Sequence, residues 1–473
     1  MQNNFSSKIL LLGIPIYIIT ILIGYSIFGS NIMPFPWILW HFLVLLFFFG
    51  GSYYTFNILK SLSHKSFIKY LFLINIILKL IILTLTYFYF KSEIGIPMLS
   101  HKDPFFYHDA GLKIAQEFRH LNFNVVAMFP NSDFSDLGGI VYYGLIYFIF
   151  GNSVFIAGII NILFMTSAII LTFKIITQIH SEPVAKLTAI IMSFIPILNL
   201  YVGVHLKEII FIWLIVKGSH LIISGFSKGL KFQNILSLIL IIFSLFSFRT
   251  VIAFAFILSV ITYFVFSENT KIRLAYKILT SAFLLLSFGF IVTYSSINKE
   301  TNKYYSKGTG NNANSSIIYT LNKERGKHSI TTSFLGIPEQ IAICTISPFP
   351  TLINYKGDHE EIIGIRILIA DAFAKGFLSL FFVFGIVNWK ELKRNFFITT
   401  FLIINIAILS ISGLTANYRF FLPTLPFFIY FSAVGLMSKK TTVKKVLLFF
   451  YPMILIVIYL FFNYTKLLDY NLI

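Results

Sequence analysis

Long apolar runs separated by short polar links dominate this chain, and none alternates with the period of two that marks a half-buried strand. Runs such as "KILLLGIPIYIITILIGYSIF" and "VFIAGIINILFMTSAIILTFKII" reach the roughly 17 to 25 residues that cross a bilayer as a helix. A membrane barrel would instead need many short alternating segments. The pattern therefore predicts an all-α polytopic membrane protein. Thirteen spans are expected, at 8–28, 36–59, 68–90, 153–176, 184–204, 206–224, 233–248, 250–266, 276–296, 366–388, 396–413, 419–437 and 446–463. The first run is long and lacks a small-residue cleavage site, so it reads as a retained helix.

The polar links set the expected orientation. With a cytoplasmic N-terminus, the inner links include "KSLSHKSFIK", "SKGLKF", "TKIRLAYK", "KELKR" and "SKKTTVKK", each basic as the positive-inside rule requires. The apolar stretch "GGIVYYGLIYFIFG" at 138–151 is too short to span, and counting it would move every later basic link outside. It is expected to be an interfacial or re-entrant helix. Two long outer segments follow, 91–152 and 297–365.

Composition agrees: 57% of residues are hydrophobic and 12% charged, with mean hydropathy +0.84, far from a soluble domain. The net charge of +19 lies mainly in the short links, so it speaks for topology and against nucleic acid. The lone cysteine, Cys344, offers no internal disulfide. Expected divisions are two N-terminal helices at 1–67, a transmembrane core at 68–296, the outer loop 297–365 and C-terminal helices at 366–473.

Ionisable chemistry gathers in "SHKDPFFYHDAGLKIAQEFRH" at 100–120. Asp103 before Pro104 is expected to cap a helix, and a carboxylate held there could also act as a general base. Tyr107 shares its helix face and Asp109 does not. His108 could bind phosphate, assist a metal or simply sit at the interface. His101, Asp103, His108 and Asp109 together could supply some ligands of a divalent metal.

A second group is "VGVHLKEIIFIW", where His205, Lys207 and Glu208 occupy a tight outer turn. Such residues are either solvated or able to hold an anionic head group. Arg249 and Arg419 fall at other outer ends, and arginine forks match phosphate geometry. Within spans, Asp371 and Lys375 are spaced to pair, Lys217 could snorkel inward, and Lys79 has no evident partner. No phosphate-binding loop, dinucleotide fingerprint, zinc pattern or serine elbow is evident, which speaks against a nucleotide-driven inner enzyme. With no sizeable inner domain expected, a donor would have to be membrane-soluble.

The segments "DPFFYHDAGLKIA", "YYGLIYFIFGNSVFIAGIINILF", "AKLTAIIMSFIPILNLYVGVHLKE" and "YRFFLPTLPFFIYFSAVGL" resemble the GT-C membrane glycosyltransferases, especially the protein-O-mannosyltransferase-like and lipid A aminoarabinose transferase-like group. The resemblance spans residues 95–225 and, more loosely, 366–437. It implies inverting sugar transfer from a polyprenyl-phosphate carrier to a lipid-linked glycan or lipid, at the outer face of a bacterial-type inner membrane. It implies Asp103 as the base, Glu208 as a second acidic residue, and Lys207, Arg249 and Arg419 as binders of the carrier phosphate. Tyr107, His108, Asp109 and His205 complete the expected substrate site. Two spans precede the usual first helix, and the paired Asp-Glu of the protein mannosyltransferases is Asp103-Pro104 here. An O-antigen-type polysaccharide polymerase is the alternative enzyme, and a lipid-glycan flippase or transporter the alternative outside enzymes.

Overall fold

The apolar runs fold as helices because a bilayer offers no water to backbone groups, so each must be satisfied within its own segment. A computed structural model describes residues 7–129, 134–228, 232–266, 337–354, 358–387, 396–411, 418–438 and 442–469. Among these the chain is 87% helical and contains no strand. Eight stretches are long and apolar enough to cross a membrane: Lys8–Asn31, Phe35–Leu59, His64–Glu93, Val154–Ile179, Glu208–Gly225, His359–Ile386, Arg419–Met437 and Lys444–Leu468. This is an integral membrane protein.

In chain order, α1 is Gly13–Phe28, α2 Phe35–Leu59, α3 His64–Glu93, α4 Asp103–Arg119, α5 Phe134–Phe150 and α6 Val154–Ile179. They are followed by α7 Glu182–Phe194, α8 Pro196–Tyr201, α9 Glu208–Lys228, α10 Phe232–Phe248 and α11 Thr250–Phe266. The last part holds α12 Ile337–Ile346, α13 His359–Ile367, α14 Ile369–Ile386, α15 Phe396–Ile411, α16 Leu425–Met437 and α17 Thr442–Asp469.

The described residues carry eight full-length spans where the sequence suggested thirteen. The run expected at 184–204 is broken between α7 and α8. Pro196 brings no N–H to continue the ladder and pushes Ile195 to an extended conformation, φ −59° and ψ 130°. The runs expected at 233–248, 250–266 and 396–413 form α10, α11 and α15, of 17, 17 and 16 residues. Over the described residues these lie at the lower limit of the roughly 17 to 25 residues that cross a bilayer, and each adjoins residues outside the description. The expected span 276–296 lies outside the described residues, as does most of the 297–365 loop.

The short apolar stretch at 138–151 lies within α5, and its neighbours reveal its direction. A side chain at Gly138 would meet Phe248 and Ser247 at the end of α10. Farther along, Tyr143 donates to the Leu206 carbonyl at 3.0 Å and Tyr147 pairs with His205 at 2.9 Å. The 205–206 turn and the end of α10 belong to one end of the bundle, so α5 lies across that end. Helix α4 runs beside it in parallel, Tyr107 meeting Asp136 and Phe118 meeting Phe148. The two approach closely because Gly111 and Gly144 carry no side chain; a Cβ at Gly144 would run into Ile114. Leu145, Phe148, Ile149 and Phe150 stay exposed on its outer side.

The bundle interior centres on α14 against α16. Every residue of α16 from Leu425 to Leu436 is buried, as suits a helix apolar all round. The end opposite α4 and α5 is closed by lysines. Lys186 donates to the carbonyls of Lys60 and Leu62 at 3.0 and 2.6 Å, closing the end of α2. Lys444 donates to Gly435, Leu436 and Ser438 at 2.7, 3.2 and 3.0 Å, closing the end of α16.

Candidate functional site

Three helices begin on a carboxylate at the same end of the bundle: Asp103 heads α4, Glu208 heads α9, and Asp136 lies in the first turn of α5. The unpaired N–H groups of a first turn favour an anion there. Pro104 fits beside Asp103 because a proline costs nothing in the first turn. Three cations arrive from the links between helices: Lys207 just before α9, Arg249 between α10 and α11, and Arg419 in the four-residue helix Tyr418–Phe421 ahead of α16.

Arg419 joins two of the carboxylates. Its Nη1 reaches Asp103 Oδ2 at 2.6 Å and its Nε reaches Glu208 Oε1 at 2.8 Å. Arg249 also approaches Glu208 Oε1, at 3.4 Å, donates to the Arg419 carbonyl at 3.1 Å, and lies 4.1 Å over the Phe420 ring. The Asp103 side chain is 57% exposed, that of Arg419 28% and that of Glu208 1%. The ion-pair chain therefore runs from an open carboxylate to a closed one. Among the described residues Glu208 Oε2 has no hydrogen-bond partner.

Lys207 forms the second half. Its buried ammonium donates to the Ser135 carbonyl at 2.6 Å and to Asp136 Oδ1 at 2.5 Å, and the Tyr107 hydroxyl donates to the same carboxylate oxygen at 2.9 Å. Gly139 lets α5 come this close, since a Cβ there would meet Tyr107 and Lys207. Burial would raise the Asp136 carboxyl, but the Lys207 charge and the two hydrogen bonds outweigh it and hold it below the usual range. Burial, with Asp136 and Glu208 nearby, pushes the Tyr107 phenol well up, so it remains a neutral donor.

The histidines form a separate column. Tyr147 lies between them, its hydroxyl 2.7 Å from His108 Nδ1 and 2.9 Å from His205 Nε2. The His205 ring stacks on Tyr143 with centroids 3.9 Å apart. His205 is buried and has φ +63°, a conformation L-residues other than glycine seldom adopt and one that tends to be stored near functional sites. Burial lowers both imidazoles below their ordinary value, that of His205 strongly, so the column is neutral.

Of the expected site residues, Asp103, Tyr107, Lys207, Glu208, Arg249 and Arg419 come together, and His108 and His205 stand beside them. Asp109 does not join: it pairs at 2.7 Å with Lys113, one turn on, in solvent. Asp103 is the first helical residue, but its side chain makes no capping bond to α4; it is committed to Arg419. Asp371 and Lys375 also look elsewhere, Oδ1 of Asp371 accepting the Ile197 N–H at 3.1 Å and Lys375 donating to the carbonyls of Cys344 and Ser347. Lys79 donates to Asn75 at 2.7 Å on its own helix.

The residues of the first outer segment suggested as metal ligands disperse. Among the described residues no group of three His, Cys, Asp or Glu side chains converges as a metal site. Sequence reasoning missed Asp136 and Tyr147. The one available signal for Asp136 was its position before the glycine pair 138–139 at the head of an apolar run. No protein-family model, curated protein or solved structure matches this chain.

Proposed function

We propose that the protein is a membrane glycosyltransferase that moves a sugar from a polyprenyl-phosphate carrier to a lipid-linked glycan or lipid head group, with Asp103 as general base. It works at the outer face of a bacterial-type inner membrane, with the N-terminus cytoplasmic. The observation that carries this reading is the Asp103–Arg419–Glu208 chain, which joins an accessible carboxylate to an arginine fork at the end of a helical bundle. An acceptor hydroxyl attacks the anomeric carbon, its proton passes to Asp103, and the bond to the carrier phosphate breaks. The leaving phosphate is met by Arg419, whose fork suits it. Glu208, buried and held by two arginines, orients them and does not meet the acceptor.

The six charges of the cluster balance, three against three, and a donor phosphate that competes for Arg419 would loosen its bond to Asp103 and free the base. The test is mass spectrometry of envelope glycans from cells lacking the protein, complemented with wild type or Asp103→Asn. Loss of one sugar increment, restored by wild type and not by the variant, supports the assignment. An altered chain-length distribution would identify a polymerase, and an unchanged covalent structure a transporter.

A further inference from the structure

Outside the charge cluster, a second set of titratable side chains ties distant parts of the chain together. Glu360, at the head of α13, takes His101 by two bonds, its Oε1 lying 2.5 Å from His101 Nδ1 and its Oε2 accepting the His101 N–H at 3.1 Å. Its neighbour His359 reaches back from Nε2 to Glu93 Oε2 at 3.4 Å. Glu93 and His101 bracket the link between α3 and α4, and they meet His359 and Glu360 in the same chain order, carboxylate to imidazole and imidazole to carboxylate. That link delivers Asp103 two residues after His101. Helix α13 thus grips the chain immediately before the residue that meets Arg419.

We infer that Glu360 is a positioning residue for Asp103, holding the link just before it through a clasp of two bonds to His101. The inference rests on the proposed transferase reading. Other charged groups at the junction are Lys102 on the gripped link, Asp358 and Glu361 beside the pair, and Lys91 two residues before Glu93. Farther down α13, Arg366 donates to Asn354 at 2.8 Å and lies within electrostatic reach of Tyr89 on α3. Of these, Lys102 lies close enough to act on the Glu360 carboxylate.

The test uses the full chain in membranes with Cys344, the sole cysteine, changed to Ser and with Ser100→Cys as a reporter on the link. Maleimide labelling is compared at matched pH, so that thiol ionisation cancels, between this protein and the same protein carrying Glu360→Gln or His101→Gln. Both variants should label several times faster than the parent. Equal rates overturn the clasp. In sugar transfer, Glu360→Gln should lower kcat on the order of ten- to hundredfold, the scale of a small misplacement of a reacting group, with KM for the donor little changed. Wild-type kcat in Glu360→Gln removes the positioning role. Absence of any transfer by the parent defeats the transferase reading, whereas the labelling result stands apart from it.

Discussion

The two ends of the bundle both bury cations, but they satisfy them differently. At one end Lys186 and Lys444 donate to main-chain carbonyls where α2 and α16 stop, and Lys186 has one carboxylate, the half-exposed Glu182, at 2.9 Å. Each lysine neutralises the orphan carbonyls and negative dipole of a helix C-terminus, so it is part of how the fold closes. At the other end Lys207, Arg249 and Arg419 are met by carboxylates from α4, α5 and α9, beside single main-chain bonds from Lys207 and Arg249. The first end is anchored mainly on the main chain and the second mainly on side chains.

The sharpest break between the ends should come from Asp103→Asn, which is expected to reduce sugar transfer by about 10²–10⁴-fold, the usual worth of a general base. Membrane insertion and thermal unfolding should be unchanged, and retained activity would remove Asp103 from the chemistry. Next in size, Lys186→Met and Lys444→Met should each cost about 1–3 kcal/mol of stability by stranding buried carbonyls. Thermal unfolding of purified protein reads this, and KM for the donor should not move; a kinetic defect without loss of stability would erase the distinction between the ends.

A smaller effect separates the ends by pH. Burial holds His205 well below the ordinary histidine value, so the folded protein keeps it neutral while the unfolded chain takes up a proton below about pH 6.5. Its contribution to stability is complete above that value and is lost as pH falls toward the folded one. Melting temperature should thus fall between pH 7 and 5. In His205→Asn, which tolerates the same positive φ, the fall should be shallower; an identical slope would exclude His205 as its source. Asp109→Asn should change stability by less than about 0.5 kcal/mol and leave transfer untouched, because its partner Lys113 is as exposed as itself.

Much of the bundle was legible because lipid imposes a length: an apolar run of 25 residues such as Phe35–Leu59 has few alternatives. The break at Ile195 was written in Pro196, yet the surrounding "MSFIPILNLY" is apolar enough to mask it. The cluster was legible at Asp103, Lys207, Glu208, Arg249 and Arg419, since each is a charge at the end of an apolar run. Asp136 was not, because its role comes from α5 crossing the end of the bundle and carrying it to Lys207, a contact between residues 71 positions apart. Asp109 was counted among the substrate residues although the helix period already turned it away from the face of Asp103 and Tyr107, and it pairs with Lys113 instead.

The balance of three carboxylates against three cations has a consequence at long range. Opposed charges a few ångströms apart cancel as seen from beyond a Debye length, about 8 Å at physiological ionic strength. The cluster therefore casts little field into the aqueous phase and cannot steer an anionic ligand from bulk solution. The recognition of charge by this cluster thus begins only at contact.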